Sequence, residues 1–342
     1  MELILTLDVG TTSVKACLFD RRLWQTALTS REYALRTHGV CAEAEPQIYL
    51  NAAAQCILSL PAEARARVCA VALTTQGETL ICVDRQGRAL RPAIVWLDSR
   101  AEAQAARLAA VLDRQRFYER TGLPELSGAL PLAKLLWLRE REPEIWAQTD
   151  KFLLLEDYLM LWLTGRAVTE KSLLTSTGYF DLQSDDYWDE ALALAELDRT
   201  RLPQALACGS VVGPVLPELA ETLGLPASAC VVTGAMDQTA AALAAGCTRP
   251  GTLCETTGTA MVAAAFTAHP QFSEDHHVTI YRHAMPGAYL YLPISNTIGM
   301  SLRWFRDEFC RDLDGGYAAL DRLAERVPPG AQGVTFLPYL AG

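Results

Sequence analysis

Residues 3–20 read Leu-Ile-Leu-Thr-Leu-Asp-Val-Gly-Thr-Thr-Ser-Val-Lys-Ala-Cys-Leu-Phe-Asp. Leucines at every second position from Leu3 to Leu7 alternate with Ile4, Thr6 and Asp8, which is the two-residue period of a strand. A second alternation of this kind runs from Val14 to Phe19. The segment between them contains a glycine and three hydroxyl side chains, which favour a tight turn. The stretch therefore predicts a β-hairpin with a carboxylate at the end of its first strand.

The tip of this hairpin, Gly10-Thr11-Thr12-Ser13, is a candidate phosphate site. We expect Gly10 to take a positive φ, and a concave run of backbone N–H groups at such a tip can hold phosphate oxygens. Asp8 would then face the Mg²⁺ that accompanies a nucleotide, because Mg²⁺ prefers one or two carboxylates together with waters and phosphates. The alternative is a hairpin whose glycine and hydroxyls only complete a turn.

The bulk composition excludes several classes of protein. The chain has 342 residues, enough for two domains, and a net charge of −10, which argues against a nucleic-acid groove. Its 10 cysteines are scattered singly, which is typical of thiols in a reducing cytosol. The chain enters a strand without a signal peptide, and no apolar run reaches membrane-spanning length. We therefore expect a cytoplasmic protein that binds neither nucleic acid nor membrane.

Strands and helices alternate along the chain, which indicates an α/β fold. A second strand, Gly-Thr tip and strand run from residue 253 to 265, with Gly258-Thr259 at the tip. Two copies of one hairpin predict two similar domains that face each other across a cleft. We place these domains at residues 1–246 and 247–342.

Local patterns give more specific expectations for the secondary structure. Ser99 is expected to cap a helix over residues 100–112. Residues 172–181 and 334–339 predict strands, and residues 235–245 predict a helix.

Asp237-Gln238 follows an apolar strand at the point where a helix begins, the position from which α/β folds present functional side chains. Asp237 in a cleft could accept a proton from an alcohol during phosphoryl transfer, with Gln238 bonded to a neighbouring hydroxyl. The alternative is a carboxylate that only complements the helix dipole.

Two further segments carry groups suited to a polyol. Gln76-Gly77-Glu78 follows a buried strand, and Trp96 places an aromatic face beside Asp98 and Arg100. The alternatives are core packing for Trp96 and an ion pair or helix cap for Asp98 and Arg100. His276-His277 has no further ligand spacing for a metal, so we expect a solvated loop there.

Together these motifs resemble the FGGY family of carbohydrate kinases, which belong to the actin-like, ribonuclease H-like ATPases. Each motif is weak alone, but their order along nearly the whole chain matches the family. The matching segments are residues 8–20, 75–79, 94–100, 134–137, 234–238, 256–259 and 336–342.

The resemblance implies two ribonuclease H-like domains around a cleft and an ATP- and Mg²⁺-dependent kinase of a sugar or polyol. It implies that Asp8 assists Mg²⁺ and that Asp237 is the catalytic base. The ATP phosphates would contact the two hairpin tips and one lysine: Gly10, Thr11, Thr12, Ser13, Lys15, Gly258 and Thr259. The sugar would be bordered by residues of three segments: Gln76, Gly77, Glu78, Trp96, Asp237 and Gln238. A homodimer and a monomer remain alternatives.

The substrate motif departs from the family's best-known patterns. Xylulose kinases usually show Gln-Met-His after the strand that ends at Gln76, and glycerol kinases show Gln-Arg-Glu-Thr, whereas this chain has Gln76-Gly77-Glu78-Thr79. The tyrosine of glycerol kinases is replaced by Ala129. We therefore expect a ketopentose such as xylulose, or a related polyol, rather than glycerol.

Family members usually continue well past the motif that ends here at Gly342, into a glycine-rich adenosine site. We therefore expect an incomplete second domain with an apolar exposed surface. The rival interpretations are a glycerol kinase-like enzyme, a non-catalytic sugar-binding or regulatory relative, and an actin-like ATPase that uses no sugar.

Overall fold

A computed structural model describes residues 2–257, 261–275, 277–295 and 298–337. Its strands are, in chain order, β1 Leu3–Val9, β2 Ser13–Phe19, β3 Gln25–Glu32, β4 Arg36–His38, β5 Cys41–Ala44, β6 Val68–Thr75, β7 Leu80–Val83, β8 Ala93–Ile94, β9 Lys151–Leu154, β10 Val168–Glu170, β11 Phe180–Asp181, β12 Asp186–Tyr187, β13 Gln204–Leu206, β14 Val211–Pro214, β15 Cys230–Met236, β16 Leu253–Thr257, β17 Met261–Thr267, β18 Ile280–Arg282, β19 Tyr289–Tyr291 and β20 Ile294–Ser295.

The α-helices are α1 Pro46–Leu58, α2 Ala62–Arg65, α3 Glu102–Ala109, α4 Arg114–Thr121, α5 Pro131–Arg141, α6 Pro143–Gln148, α7 Leu155–Thr164, α8 Lys171–Leu174, α9 Asp189–Leu194, α10 Pro217–Leu223, α11 Asp237–Ala244, α12 Ile298–Phe309 and α13 Gly316–Ala324. Within the described residues, no helix has the length and apolar character needed to cross a bilayer.

The central sheet has the strand order β14-β15-β6-β1-β2-β3. The predicted hairpin is confirmed: β1 and β2 are antiparallel, with Asp8 opposite Lys15. Strands β1, β6 and β15 run parallel, with Val9 opposite Thr75 and Thr75 opposite Met236. The carboxyl ends of three strands therefore meet at one edge of the sheet, where α/β folds place their ligand sites.

One face of this sheet is closed by an apolar core. Leu5 and Leu7 of β1 are fully buried, and they belong to one cluster with Tyr49 and Ile57 of α1. Burial at alternate positions of β1 explains the period seen in the sequence, because successive side chains of a strand point to opposite faces.

Among the described residues there are two five-stranded sheets, one in the order β4-β5-β8-β7-β9 and one in the order β16-β17-β19-β18 with β20 paired to β17, and two two-stranded sheets, β10-β13 and β11-β12. A second apolar cluster joins both halves of the chain, since it contains Leu80 and Leu132 as well as Leu290. The second meander is thus packed against the first half, and the division at residues 246 and 247 stays a prediction.

Two predicted element boundaries near the helices are wrong. Ser99 caps no helix: α3 begins at Glu102 after Ala101, and Asp98 accepts the Arg100 N–H instead. The predicted helix over 235–245 begins only at Asp237, because residues 235–236 complete the ladder of β15 against β6.

Two predicted strands are also wrong. Residues 172–181 contain the short helix α8, and strand geometry is limited to 180–181. The hydroxyls of Thr175, Ser176 and Thr177 each bond to a carbonyl three residues earlier, which favours turns over an extended chain. Residues 334–337 form no strand, and 338–339 lie outside the described residues.

All ten cysteines lie within the described residues, and each is a free thiol, as predicted.

Candidate active site

The edge where β1, β6 and β15 end borders a cavity of about 270 Å³. It brings together seven of the predicted site residues, from four separate segments: Thr11, Gln76, Gly77, Glu78, Trp96, Asp237 and Gln238. Five apolar or aromatic residues complete its wall: Met236, Val262, Tyr281, Leu292 and Ile294. A small concave site with an apolar wall and a few converging polar groups is the usual form of a small-molecule site.

The hairpin tip lies at the open side of this cavity. The Gly10 N–H donates to the Ser13 carbonyl at 3.0 Å, and the Tyr33 N–H donates to the Thr12 carbonyl at 2.9 Å. The Tyr33 hydroxyl also donates to the Gly10 carbonyl. The expectation of a positive φ at Gly10 is wrong, and a Cβ there would meet nothing nearer than 3.7 Å. Gly10 is therefore not required by the backbone conformation, and the absence of a side chain leaves the surface of the tip open.

Trp96 connects the tip to the cavity. Its indole Nε1–H donates to the Thr11 hydroxyl at 3.1 Å, and 37% of the residue remains exposed. Core packing, the alternative for Trp96, is therefore not its role. Asp98 and Arg100 do form the ion pair that was the alternative for them: they are 2.6 Å apart and buried, outside the cavity wall.

Gln76 lies directly after β6 and is only 2% exposed. Its N–H donates to the Val9 carbonyl at 2.9 Å, which fixes the backbone at the cavity floor. Neither polar atom of its side-chain amide makes a hydrogen bond of good geometry within the described part of the chain, although the Tyr49 hydroxyl lies close enough to interact with it. A buried amide without partners is costly, so this group is suited to a ligand that supplies them.

Glu78 lies in the cavity wall, and the buried Lys134 acts on its charge from behind that wall. Burial raises the pKa of Glu78, while the Ser176 hydroxyl and Lys134 oppose that rise. Burial lowers the pKa of Lys134 to about 8, and its Nζ donates to the Val95 carbonyl at 2.9 Å. The lysine thus fixes the residue before Trp96 and partly compensates the charge of Glu78.

Asp237 is the first residue of α11, directly after β15. Burial first, and the charges of Asp8 and Glu78 next, raise its pKa to about 6, against the opposing effect of a hydrogen bond from the Gln238 N–H at 2.6 Å. A carboxyl group with a pKa close to neutrality is poised to exchange a proton.

Asp8 lies at the exposed rim, where Lys15 binds its carboxylate at 3.3 Å. Although the two aspartates are far apart in sequence, the charge of Asp8 acts on Asp237 across the same edge. Asp8, Gly10, Thr12, Ser13 and Lys15 are not part of the cavity wall itself. Gly258 and Thr259 lie outside the described residues.

A carboxylate at the rim and a second one in the cavity fit what Mg²⁺ takes when phosphates supply the other ligands. No group of three His, Cys, Asp or Glu side chains among the described residues forms a metal cluster by itself.

The expected solvated loop at His276-His277 is wrong for the histidine that the structure describes. The His277 ring stacks on Tyr118 with 4.4 Å between ring centroids, and its Nε2 is 3.0 Å from the Gln115 Oε1. His276 lies outside the described residues.

Sequence reasoning missed the aromatic part of the cavity wall. Tyr281 of β18 is 9% exposed, and burial together with the charges of Glu78 and Asp237 raises the pKa of its phenol. The sequence of β18 alone does not reveal that this side chain faces Glu78, which lies far earlier in the chain.

The sequence profile of the FGGY family of carbohydrate kinases, N-terminal domain, matches residues 3–244. The xylulose kinase of Lactococcus lactis subsp. lactis (strain IL1403) is 30% identical over 348 residues, which cover 100% of this chain and 68% of the relative. The gluconokinase of Bacillus subtilis (strain 168) is 28% identical over 354 residues, which cover 99% of this chain and 68% of the relative.

Among solved structures, the xylulose kinase from Rhodospirillum rubrum has a TM-score of 0.91 and 30% identity, with 100% of this chain and 70% of that chain covered. The fold and the site thus define a sugar or polyol kinase scaffold with a mixed α/β fold. The chain belongs to the FGGY family of carbohydrate kinases, whose members are phosphotransferases.

Proposed function

We propose that this protein transfers a phosphoryl group from ATP to a hydroxyl of a neutral ketose or polyol, a ketopentose such as xylulose being the first candidate. The observation that carries the proposal is the convergence of Asp237, Glu78 and Gln76 on one cavity of about 270 Å³ beside the hairpin tip. This volume suits a ligand of about five carbons better than a large one.

Asp237 is the base in this proposal. Its pKa of about 6 leaves it ionised at neutral pH, yet close enough to neutrality to accept a proton from the attacking hydroxyl. The Gln76 amide, without partners in the described structure, would bond to substrate hydroxyls, and Glu78 and Gln238 would accept from or donate to others. Trp96 would cover the carbon face of the sugar.

The nucleotide would approach from the hairpin side. When bound, ATP with Mg²⁺ supplies the phosphoryl group and neutralises its charge. The tip of residues 10–13 offers backbone N–H groups and hydroxyls, Lys15 offers a cation, and Asp8 is the proposed carboxylate toward the metal. Gly258 and Thr259 are proposed for the opposite wall on the family resemblance alone.

The charge of the cavity argues for a neutral substrate. Among the described residues of its wall there are two carboxylates, Glu78 and Asp237, and no lysine, arginine or histidine. Lys134 is committed to the Val95 carbonyl behind that wall. A sugar acid held about 5 Å from one carboxylate would meet a repulsion of about 3 kcal/mol at an effective dielectric constant of about 20. Gluconate, the substrate in the name of one relative, is therefore disfavoured here.

The test is an ADP-release assay with ATP and Mg²⁺ on D-xylulose, glycerol and D-gluconate, alongside Asp237→Asn as the matched control. We expect turnover with the ketopentose, at least tenfold lower kcat/KM with gluconate, and a kcat for Asp237→Asn reduced by two orders of magnitude or more.

Calorimetry with each sugar, without nucleotide, separates the alternatives. A preference for gluconate would overturn the substrate class, and wild-type turnover by Asp237→Asn would overturn the base. Sugar binding by a chain that never releases ADP would instead identify a non-catalytic sugar-binding relative.

A further inference from the structure

The strand that ends just before Asp237 carries a β-bulge between Val232 and Ala235. β15 pairs with β6 through Val232 opposite Ala72, and pairing resumes with Ala235 opposite Thr74, so β15 holds one extra residue. A Cβ at Gly234 would lie 1.3 Å from the Leu73 carbonyl oxygen. A bulge re-aims the residues that follow it and leaves backbone N–H groups without ladder partners.

Buried carboxylates from two other elements take up those N–H groups. Glu156 of α7 accepts the Gly234 N–H at 3.0 Å. Glu170, at the end of β10, accepts the Met236 N–H at 3.2 Å, and the Ser172 hydroxyl accepts the same N–H at 3.1 Å. Met236 immediately precedes Asp237, so Glu170 and Ser172 hold the backbone N–H one residue before the proposed base.

Glu170 is fully buried and crowded with donors. Besides Met236, its two oxygens accept the Ser172 N–H and hydroxyl, each at 2.7 Å, the Cys208 thiol at 2.9 Å and the Leu173 N–H. A carboxylate can accept all of these, whereas a carboxamide has one acceptor oxygen and would turn an NH₂ group toward donors.

We propose that Glu170, assisted by Ser172, is a positioning residue for Asp237: it anchors the bulged end of β15 so that the Asp237 carboxylate points into the sugar cavity. This inference rests on the proposed function, since it assumes that Asp237 acts on substrate. Glu156 accepts a single backbone N–H of the bulge, that of Gly234, and its Oε2 has no partner in the described structure.

The variants Glu170→Gln and Glu170→Asp test the need for two acceptor oxygens. We expect Glu170→Gln to lower kcat about 10- to 100-fold, with sugar affinity changed less than about threefold, because displacement of a reacting group affects the chemical step more than binding. Glu170→Asp keeps two acceptor oxygens and should restore most of kcat. Ser172→Ala removes one of the two acceptors of the Met236 N–H and should give a smaller loss, so it serves as the readout if Glu170→Gln does not fold.

Hydrogen exchange of the Met236 amide provides a readout without nucleotide or sugar. Glu170→Gln should speed this exchange about tenfold or more, since a carboxamide has one acceptor oxygen fewer for the donors around it. The matched control is Asp113→Ala, which removes the N-cap of α4 at a site away from the cavity.

An unchanged Met236 exchange rate, or a kcat that falls only with the folded fraction as in Asp113→Ala, would overturn the positioning role. A larger loss in Glu170→Asp than in Glu170→Gln would also overturn it, because glutamine keeps the shape of glutamate and packing shape rather than the acceptor oxygens would then matter. Failure of the proposed function looks different: Asp237→Asn would itself retain wild-type turnover.

Discussion

Asp237→Asn should make the protein more stable at neutral pH while it removes the proposed base. Burial first, and the charges of Asp8 and Glu78 next, raise the pKa of Asp237 from 3.8 to about 6 in the folded chain. A carboxyl group whose folded pKa is raised contributes stability below its unfolded pKa, and this contribution is lost as the pH rises through the folded value. Ionised Asp237 therefore lowers the free energy of unfolding above about pH 6.

The magnitude follows from the two pKa values. The interval from 3.8 to about 6 corresponds to an upper limit of about 3 kcal/mol at 1.36 kcal/mol per pH unit. The side chain is half-buried rather than fully buried, and solvent screens part of the penalty. We therefore expect Asp237→Asn to raise the free energy of unfolding by about 1–2 kcal/mol at pH 7.5 and by almost nothing at pH 4. Asparagine keeps an oxygen that can accept the Gln238 N–H.

The measurement is urea unfolding of both proteins at several values between pH 4 and pH 8, with the slope against urea checked for constancy. Asp84→Asn is a control of opposite sign. The Arg88 side chain and backbone N–H groups lower the pKa of Asp84, so its loss should destabilise the fold at neutral pH and less so in acid. If Asp237→Asn were no more stable than the wild type at pH 7.5, or if the difference did not grow with pH, the assignment of a strained carboxylate would be wrong.

Two other substitutions test the geometry around the cavity. Trp96→Phe removes the hydrogen bond to the Thr11 hydroxyl, so we expect sugar affinity to weaken about 3- to 10-fold in calorimetry. Unchanged affinity would show that the Trp96 indole is not part of the sugar site. Gly234→Ala places a Cβ against the Leu73 carbonyl and should lower the free energy of unfolding in urea by about 3 kcal/mol or more. Gly77→Ala, where a Cβ has open space, should change it by less than about 0.5 kcal/mol. A Gly234→Ala protein as stable as the wild type would contradict the close approach at the bulge.

The sequence predicted those parts of the site that depend on local pattern. The alternation in residues 3–20 predicted the hairpin, and polar residues after apolar strands marked Gln76 and Asp237 as candidates, which the family resemblance placed at one sugar site. Parallel strands bring their carboxyl ends to one edge, so a correct prediction of three strand ends is enough to assemble most of the cavity.

The remaining parts of the site depend on packing between distant segments. The face of β18 that carries Tyr281 is chosen by its contacts with the first half of the chain, and no feature of the strand's own sequence specifies this. The segment 172–181 has the β-branched and aromatic residues of a strand, but its hydroxyls bond to the local backbone and form turns. The sequence did not single out Glu170, since its hydrogen-bond partners come from three separate segments, at residues 172–173, 208 and 236.

The raised pKa of Asp237 and the buried hydrogen bonds of Glu170 have the same structural cause. A base near pH 6 requires a partly dehydrated carboxylate, and dehydration is achieved here by ending a buried strand at the cavity rather than on the surface. Such a strand end leaves N–H groups that water cannot reach, so carboxylates such as Glu170 must be buried to accept them. Each buried carboxylate lowers the stability of the empty protein, and a substrate that pairs with the Gln76 amide would recover part of that loss on binding. Sugar binding should therefore stabilise the wild-type fold by more than its contact area alone suggests.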